Sequence, residues 1–456
     1  MIADELARTL GGTIEGESRA EITGAEVDSR RLREGDLFVA LEGERLDGHD
    51  FVADALETAA AALVREERQL APPPAGRALI RVSEPLAAYH ELATLERRRR
   101  TWKIVGITGS VGKTTTKEFL GGLLSTRFRA GVSAGNRNST LGLPAQLISQ
   151  PEDTEIFVAE MGMNHPGELE VLGRIVRPDV LLYTRLALTH TEFLSDMETL
   201  VRAKAELLPY LNPSGCLIIN HEDPHQAGYP ELSPATLVRY GGEGSAVRIE
   251  SLEDWGLLGT TFRLVVNDDS AEVELAIPGR HQADNLLAAA AAAATLGLSA
   301  EEISVAAGRL EAAEHRGRVY RTEAGVTVVD DSYNSSPLAV RRLLSLLAKV
   351  QGRRVAVLGE MYELGEQAAE AHTEIGREAA GSCDLLIAVG GEDATRLAQA
   401  ALDAGMEAPL IHLIGDAEEA ARRLTRVAEP GDVVLVKGSR GVGLDRTVAS
   451  FLEGGA

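Results

Sequence analysis

Cysteine is nearly absent: Cys216 and Cys383 are the only two in 456 residues. They are too far apart for a disulfide framework and lack a CxxC partner for a structural zinc site, so they read as core thiols. Positive charge is also short, with 46 Lys and Arg against 69 Asp and Glu and a formal net charge of -23. Such a field opposes nucleic acid and anionic membranes as partners. No long apolar run exists either. The most apolar stretch, 286–298, is Ala-rich and shorter than the roughly 20 residues a bilayer span needs. The amino terminus, MIADELARTLGGTIEG, has no apolar segment of a secretory signal. These absences point to a cytoplasmic chain with no membrane insertion, expected to be a monomer. Anionic small molecules stay open as ligands, because a nest of backbone N–H groups or a metal ion outweighs the global field locally.

What is present is enough for several cores. With 44% hydrophobic and 25% charged residues, the length predicts two to four domains. Up to residue 99, short strand-like runs (LFVAL, AALVR, ALIRV) mix with turn signals, including the loop APPPAGR. From about 100 the pattern becomes strand, Gly-rich turn and helix, then runs such as EIFVAEM and VLLYT between helical stretches. That alternation predicts a mostly parallel sheet covered by helices. After 315, VTVVDDS, RVAVLGE, DLLIAVGG and VVLVKGS recur with helices between them, as in a doubly wound, Rossmann-like domain. The expected class is α/β in three domains: 1–99, 100–315 and 316–456.

Between an apolar strand and a helix lies Thr108-Gly109-Ser110-Val111-Gly112-Lys113-Thr114-Thr115. Glycines there allow backbone N–H groups to converge on phosphate oxygens, and the helix amino terminus adds positive charge. Lys113 reaches the outer phosphates and Thr114 offers a hydroxyl to magnesium. The strict GxxxxGK[ST] pattern is missed by one position, where Ile107 stands in place of glycine. A phosphate loop implies a nucleoside triphosphate but no particular reaction.

Further motifs follow in order: GNRNSTLGLP, AEMGMNHPGEL, THTEFL, AKAELL, GRHQADNLLAAAAAA, DDSYNSSP, GEMYELGE and KGSRGVGLD, with DSRRLREGDLFVALEGERLDGHDF before them. In order and spacing the chain resembles the Mur ligases. The DSYN and GEMYELGE blocks resemble the member that joins D-alanyl-D-alanine to a UDP-N-acetylmuramoyl-tripeptide in peptidoglycan precursor synthesis, and thus in cell-wall biogenesis, cell shape and division. The resemblance implies an ADP-forming amide ligase that uses ATP and Mg2+. The substrate carboxylate would become an acyl phosphate, which the incoming amine attacks.

The same resemblance implies the site residues. Magnesium would be held by Thr114, Glu160, His190 and Lys204, the last as a carbamate. Catalysis would also use Lys113, Arg316 and Asp331, with Arg318 as the alternative to Arg316. Besides residues 108–115, the nucleotide would meet Asn285, Arg316 and Asp331. Asn138, Tyr333, Asn334, Lys437 and Ser439 would meet the reacting groups or the dipeptide. Ser29, Arg30, Asp47, Gly48 and His49 would hold the UDP end, where arginine suits a diphosphate by bidentate bonding. Ser139, Gln282 and Ser336 stand where the family usually has asparagine, and Arg185 also departs from its pattern. Two other readings remain: a folylpolyglutamate-type ligase of the same superfamily, which should lack the first domain, and a nucleotide-dependent scaffold, which has no need of paired metal ligands.

Overall fold

The computed structural model describes residues 1–43, 46–187 and 196–454, and three sheets organise them. The first has the strand order Thr13–Gly16, Ala78–Val82, Ala61–Arg65, Asp36–Val39, Gly24–Glu26, antiparallel only at its first pair. The central sheet has nine strands. Its parallel part runs Thr236–Tyr240, Cys216–Asn220, Val180–Tyr183, Lys103–Thr108, Ile156–Glu160 and Ala130–Val132. An antiparallel extension, Val247–Asp254, Thr260–Val266 and Asp269–Leu275, continues it at one side. The third sheet is ordered Arg318–Arg321, Thr327–Asp330, Val433–Lys437, Arg354–Gly359, Leu385–Val389, Ile411–Ile414, and its first pair alone is antiparallel.

The three-domain α/β expectation is met, with the outer antiparallel strands as additions. Interior strands such as Ile156–Glu160 and Leu385–Val389 are buried at every residue, because helices cover both faces of a parallel sheet. The outer strand Asp269–Leu275 instead alternates exposed and buried residues, as a sheet face open to water requires. The alanine-rich segment forms the helix Arg280–Thr295. EEISVAAGRLEAA is helical only over Ala300–Ala307, opened by a Ser299–Glu302 capping box.

The first two sheets share one core. The helix Pro85–Arg99 buries Tyr89 and Leu92 in the same cluster as Leu143, Ile148 and Leu172 of the central region. Polar ties reinforce that seam. Tyr89 donates to the Leu141 carbonyl at 2.8 Å, and Arg137 pairs with the buried Glu26 at 2.7 Å. The third sheet has its own apolar clusters on its two faces. Leu257 packs against one of them, and Lys349 pairs with Asp254 at 3.5 Å. No helix among the described residues is long and apolar enough to cross a membrane.

Candidate active site

The strand Lys103–Thr108 ends at the loop, and the helix Lys113–Leu124 starts from it. Gly109 (φ 141°) and Gly112 (φ 88°) carry the turn through a backbone region that side chains avoid. A Cβ at Gly112 would collide with the Asn285 carboxamide, so the alanine-rich helix packs directly on the loop. Not every loop donor is free. The N–H groups of Ser110 and Val111 both donate to the Arg185 carbonyl, at 2.9 and 3.2 Å. This leaves the first amides of the helix, from Lys113 onward, as the anion nest. Thr108 is also occupied, donating to the Met161 carbonyl at 2.8 Å. Thr115 is buried.

Lys113 folds back on the loop, its ammonium donating to the carbonyls of Gly109 (3.0 Å) and Ser110 (3.2 Å). Burial pushes its pKa below the ordinary lysine value; Glu160 opposes that shift and Arg316 adds to it. Glu160 is buried at the end of Ile156–Glu160, the strand end at which such sheets build their sites. Its Oε1 accepts from the Asn138 amide at 2.7 Å. Oε2 is buried, has no hydrogen bond among the described residues and lies 3.7 Å from the Lys117 ammonium, an environment suited to a further cation. Lys204, on the helix Met197–Ala205, is also buried. Burial first, and Lys113 second, hold its amine well below the usual lysine range. His190 lies outside the described residues.

The third domain reaches into the same cleft. Arg316 donates to the Thr114 hydroxyl at 3.3 Å and stacks on Tyr333 with its guanidinium 4.1 Å from the ring centroid. Arg318 instead lies near Glu311, at 3.5 Å, and over Tyr320, so Arg316 is the arginine at the loop. Asp331 follows the strand Thr327–Asp330 and lines the cleft with Asn285, Asn334 and Lys437. Lys437, expected to meet substrate or phosphate, is buried and committed: its ammonium pairs with Asp331 and donates to the Asn334 carbonyl at 2.8 Å. Ser439, given the same role, is also internal; its hydroxyl accepts from the Tyr362 N–H at 2.8 Å. These two side chains hold their neighbouring loops in place, since a buried ammonium and hydroxyl need partners.

In the first domain, Ser29 and Arg30 occupy the short helical turn Ser29–Arg31, and the exposed Arg30 is paired bidentately with Asp28 at 2.8 Å. Asp47 accepts from His49 Nδ1 at 2.7 Å and also pairs with Arg68. Nε2 of the buried His49 accepts from the Arg65 N–H at 3.0 Å. Gly48 approaches the Leu41 backbone so closely that a Cβ would meet its nitrogen at 2.7 Å. Asp47 and His49 thus shape their turn with internal bonds.

Sequence reasoning missed Lys117, which is fully buried, donates to the Ser133 (2.6 Å) and Gly135 (3.1 Å) carbonyls, and lies 3.7 Å from Glu160 Oε2. Its spacing of four from Lys113 was the available signal, one helical turn along the same face. It also missed the buried Asp330, which accepts from the Ser332 hydroxyl at 2.6 Å and engages His315 at 2.7 Å. No motif separates Asp330 from Asp331.

Family models match in sequence order. The Mur ligase family, catalytic domain, covers residues 21–97, the Mur ligase middle domain 107–293, and the Mur ligase, glutamate ligase domain, 315–440. The UDP-N-acetylmuramoyl-tripeptide--D-alanyl-D-alanine ligase of Bacillus subtilis is 30% identical over 95% of this chain and 93% of its own. The chain belongs to the Mur ligase family. Among solved Mur ligases, a crystal structure of MurF from Acinetobacter baumannii matches with a TM-score of 0.86 at 30% identity, covering 99% of this chain and 98% of that one. MurF ligase from Thermotoga maritima in complex with ADP matches at 0.81 and 28%, covering 95% and 97%.

Proposed function

We propose that this Mur ligase joins the terminal carboxylate of UDP-N-acetylmuramoyl-tripeptide to the amine of D-alanyl-D-alanine, converting ATP to ADP and phosphate in peptidoglycan precursor synthesis. The observation that carries the reading is the meeting of Arg316 from the third domain with the Thr114 hydroxyl of the phosphate loop, at 3.3 Å, in a chain matched almost end to end by ligases of that name.

A carboxylate is a poor electrophile, and its approach to a triphosphate is repelled. The site must position two anions and neutralise them. The Lys113 ammonium and the free amides of its helix hold the phosphates, while Arg316 approaches from the third domain. The substrate carboxylate attacks the γ-phosphorus and ADP leaves with the bonding pair. The dipeptide amine then attacks the acyl carbon, phosphate departs, and the amine's surplus proton passes to a base. Closure of the third domain excludes the water that would otherwise hydrolyse the acyl phosphate.

Magnesium fits the donor set: Glu160, whose Oε2 makes no hydrogen bond among the described residues, and Thr114 offer hard oxygen ligands, and His190 and a carbamylated Lys204 would complete the set. Bound there, Mg2+ supplies charge neutralisation for the transferring phosphoryl group. The depressed basicity of Lys204 supports carbamylation, because only the neutral amine captures carbon dioxide. Asn285 meets the nucleotide, and Asn138, Tyr333 and Asn334 line the path of the reacting groups. Ser29, Arg30 and the Asp47–His49 turn form the UDP end. The divisions at 99 and 315 follow this allocation of work: UDP-peptide on the first domain, ATP on the second, dipeptide on the third. We place the enzyme in the cytoplasm as a monomer. Purified protein should release ADP only when UDP-tripeptide and D-alanyl-D-alanine are both present, with the UDP-pentapeptide mass appearing in step. ADP release indifferent to the dipeptide would overturn the assignment.

A further inference from the structure

Two adjoining cavities meet beside the phosphate loop. One is lined by Ser110, Gly112, Asn285, Arg316 and Asp331, and the other by Thr184, Asn220, Glu222, Tyr240 and Asp284. His281, Asn285 and Arg342 belong to both walls. The two cavities differ in what they can hold. The loop residues Ser110 and Gly112, at the start of a helix, together with Arg316 suit the first to phosphate. The second sets two carboxylates, Glu222 and Asp284, among the guanidinium groups of Arg185 and Arg342, so its charges balance, and the carboxylates accept hydrogen bonds from an exocyclic amine. It is therefore suited to a base.

Arg342 comes from the third domain, on the helix Pro337–Leu347. Its neighbour Arg341 is fully engaged, with Glu378 at 2.6 Å and with Glu374. Arg342 is half-buried at the cleft and makes no hydrogen bond or ion pair within 4 Å among the described residues. Asp284, on the alanine-rich helix of the central domain, faces it and favours its charge, while burial and Arg185 disfavour it. A partly desolvated guanidinium with no direct partner is costly unless something is meant to meet it. The flat face of a purine does so well, because a guanidinium stacks on π-systems.

We infer that Arg342 is a nucleotide-binding residue contributed by the third domain to the base end of the cleft, aimed by Asp284 across the domain boundary. This rests on the ATP-dependent reading above and deepens it. The base becomes a bridge between the two domains. The Asp284 and Glu222 carboxylates favour a 6-amino purine over a 6-keto one, whose oxygen they would repel.

Calorimetric titration with a non-hydrolysable ATP analogue, and with its GTP counterpart, tests the inference. Arg342→Ala should weaken the ATP analogue about tenfold, the scale of one cation–π contact, while affinity for the UDP-tripeptide stays within twofold. Arg342→Lys should recover part of the loss, and Asp284→Asn should narrow the preference for ATP over GTP. Analogue affinity within twofold of wild type in Arg342→Ala would overturn the inference. So would equal losses of nucleotide and UDP-tripeptide, which would mark a merely structural residue. If Arg342→Ala does not fold, Arg342→Lys and Asp284→Asn decide by the same readings. Failure of the wild-type protein to bind the ATP analogue would instead remove the ligase reading first.

Discussion

Asn138 donates to Glu160 at 2.7 Å, so one oxygen of the buried carboxylate is occupied, while the other makes no hydrogen bond among the described residues and lies 3.7 Å from the Lys117 ammonium. A ligand oriented in this way depends on its neighbour, and losing such outer partners typically costs about 10–100-fold in metal affinity or activity. Asn138→Ala should therefore raise the Mg2+ concentration for half-maximal ADP release by about that factor. An unchanged magnesium curve would contradict the arrangement.

The seam between the first two domains rests on Glu26 and Arg137, a largely buried pair at 2.7 Å. Removing one partner leaves the other desolvated and unpaired. Glu26→Gln alone should cost about 3 kcal/mol in urea denaturation, and the double change with Arg137→Gln should cost less than the sum of the singles. Strict additivity would mean that the pair does not couple the domains.

Folding should depend on pH through His281. Burial, aided by Arg342 and Lys437 and opposed by Asp331, pushes its pKa down from 6.5 to about 4. The unfolded chain takes up this proton first, so stability is complete above pH 6.5 and falls as the pH drops toward 4. The loss should reach at most about 3 kcal/mol. Urea denaturation between pH 7 and 4.5 should show a shallower decline for His281→Gln than for wild type. Parallel declines would contradict the shift.

A carbamate on Lys204 predicts chemical rescue. Lys204→Ala should lack ligase activity, and millimolar acetate or propionate should restore a measurable part by supplying a carboxylate in the emptied space. Full activity of the unsupplemented variant would contradict the role of this lysine.

Much of the fold was legible because parallel strands buried on both faces appear as continuous apolar runs: EIFVAEM, LLIAV and VVLVK are interior strands of their sheets. The outer strands were not. The alternating residues of Asp269–Leu275 and the short Ile411–Ile414 carry weaker periodicity, since an edge packs on less. At the site, Lys113 and Glu160 could be named because their motifs surround them, and Arg316 from its spacing to Asp331. The Lys437–Asp331 pair was not legible, because a lysine at a strand end looks the same whether its ammonium meets a ligand or, as here, an aspartate. Arg137 and Lys117 were missed because their partners, Glu26 and the 133–135 backbone, are distant in sequence.

The central claim is that the carboxylate is activated by phosphorylation before the amine arrives. UDP-N-acetylmuramoyl-tripeptide labelled with 18O in its reacting carboxylate tests this directly. One labelled oxygen should appear in the inorganic phosphate released with each amide formed, read by mass spectrometry. Unlabelled phosphate, with the label confined to product and water, would contradict an acyl phosphate and the account built on it.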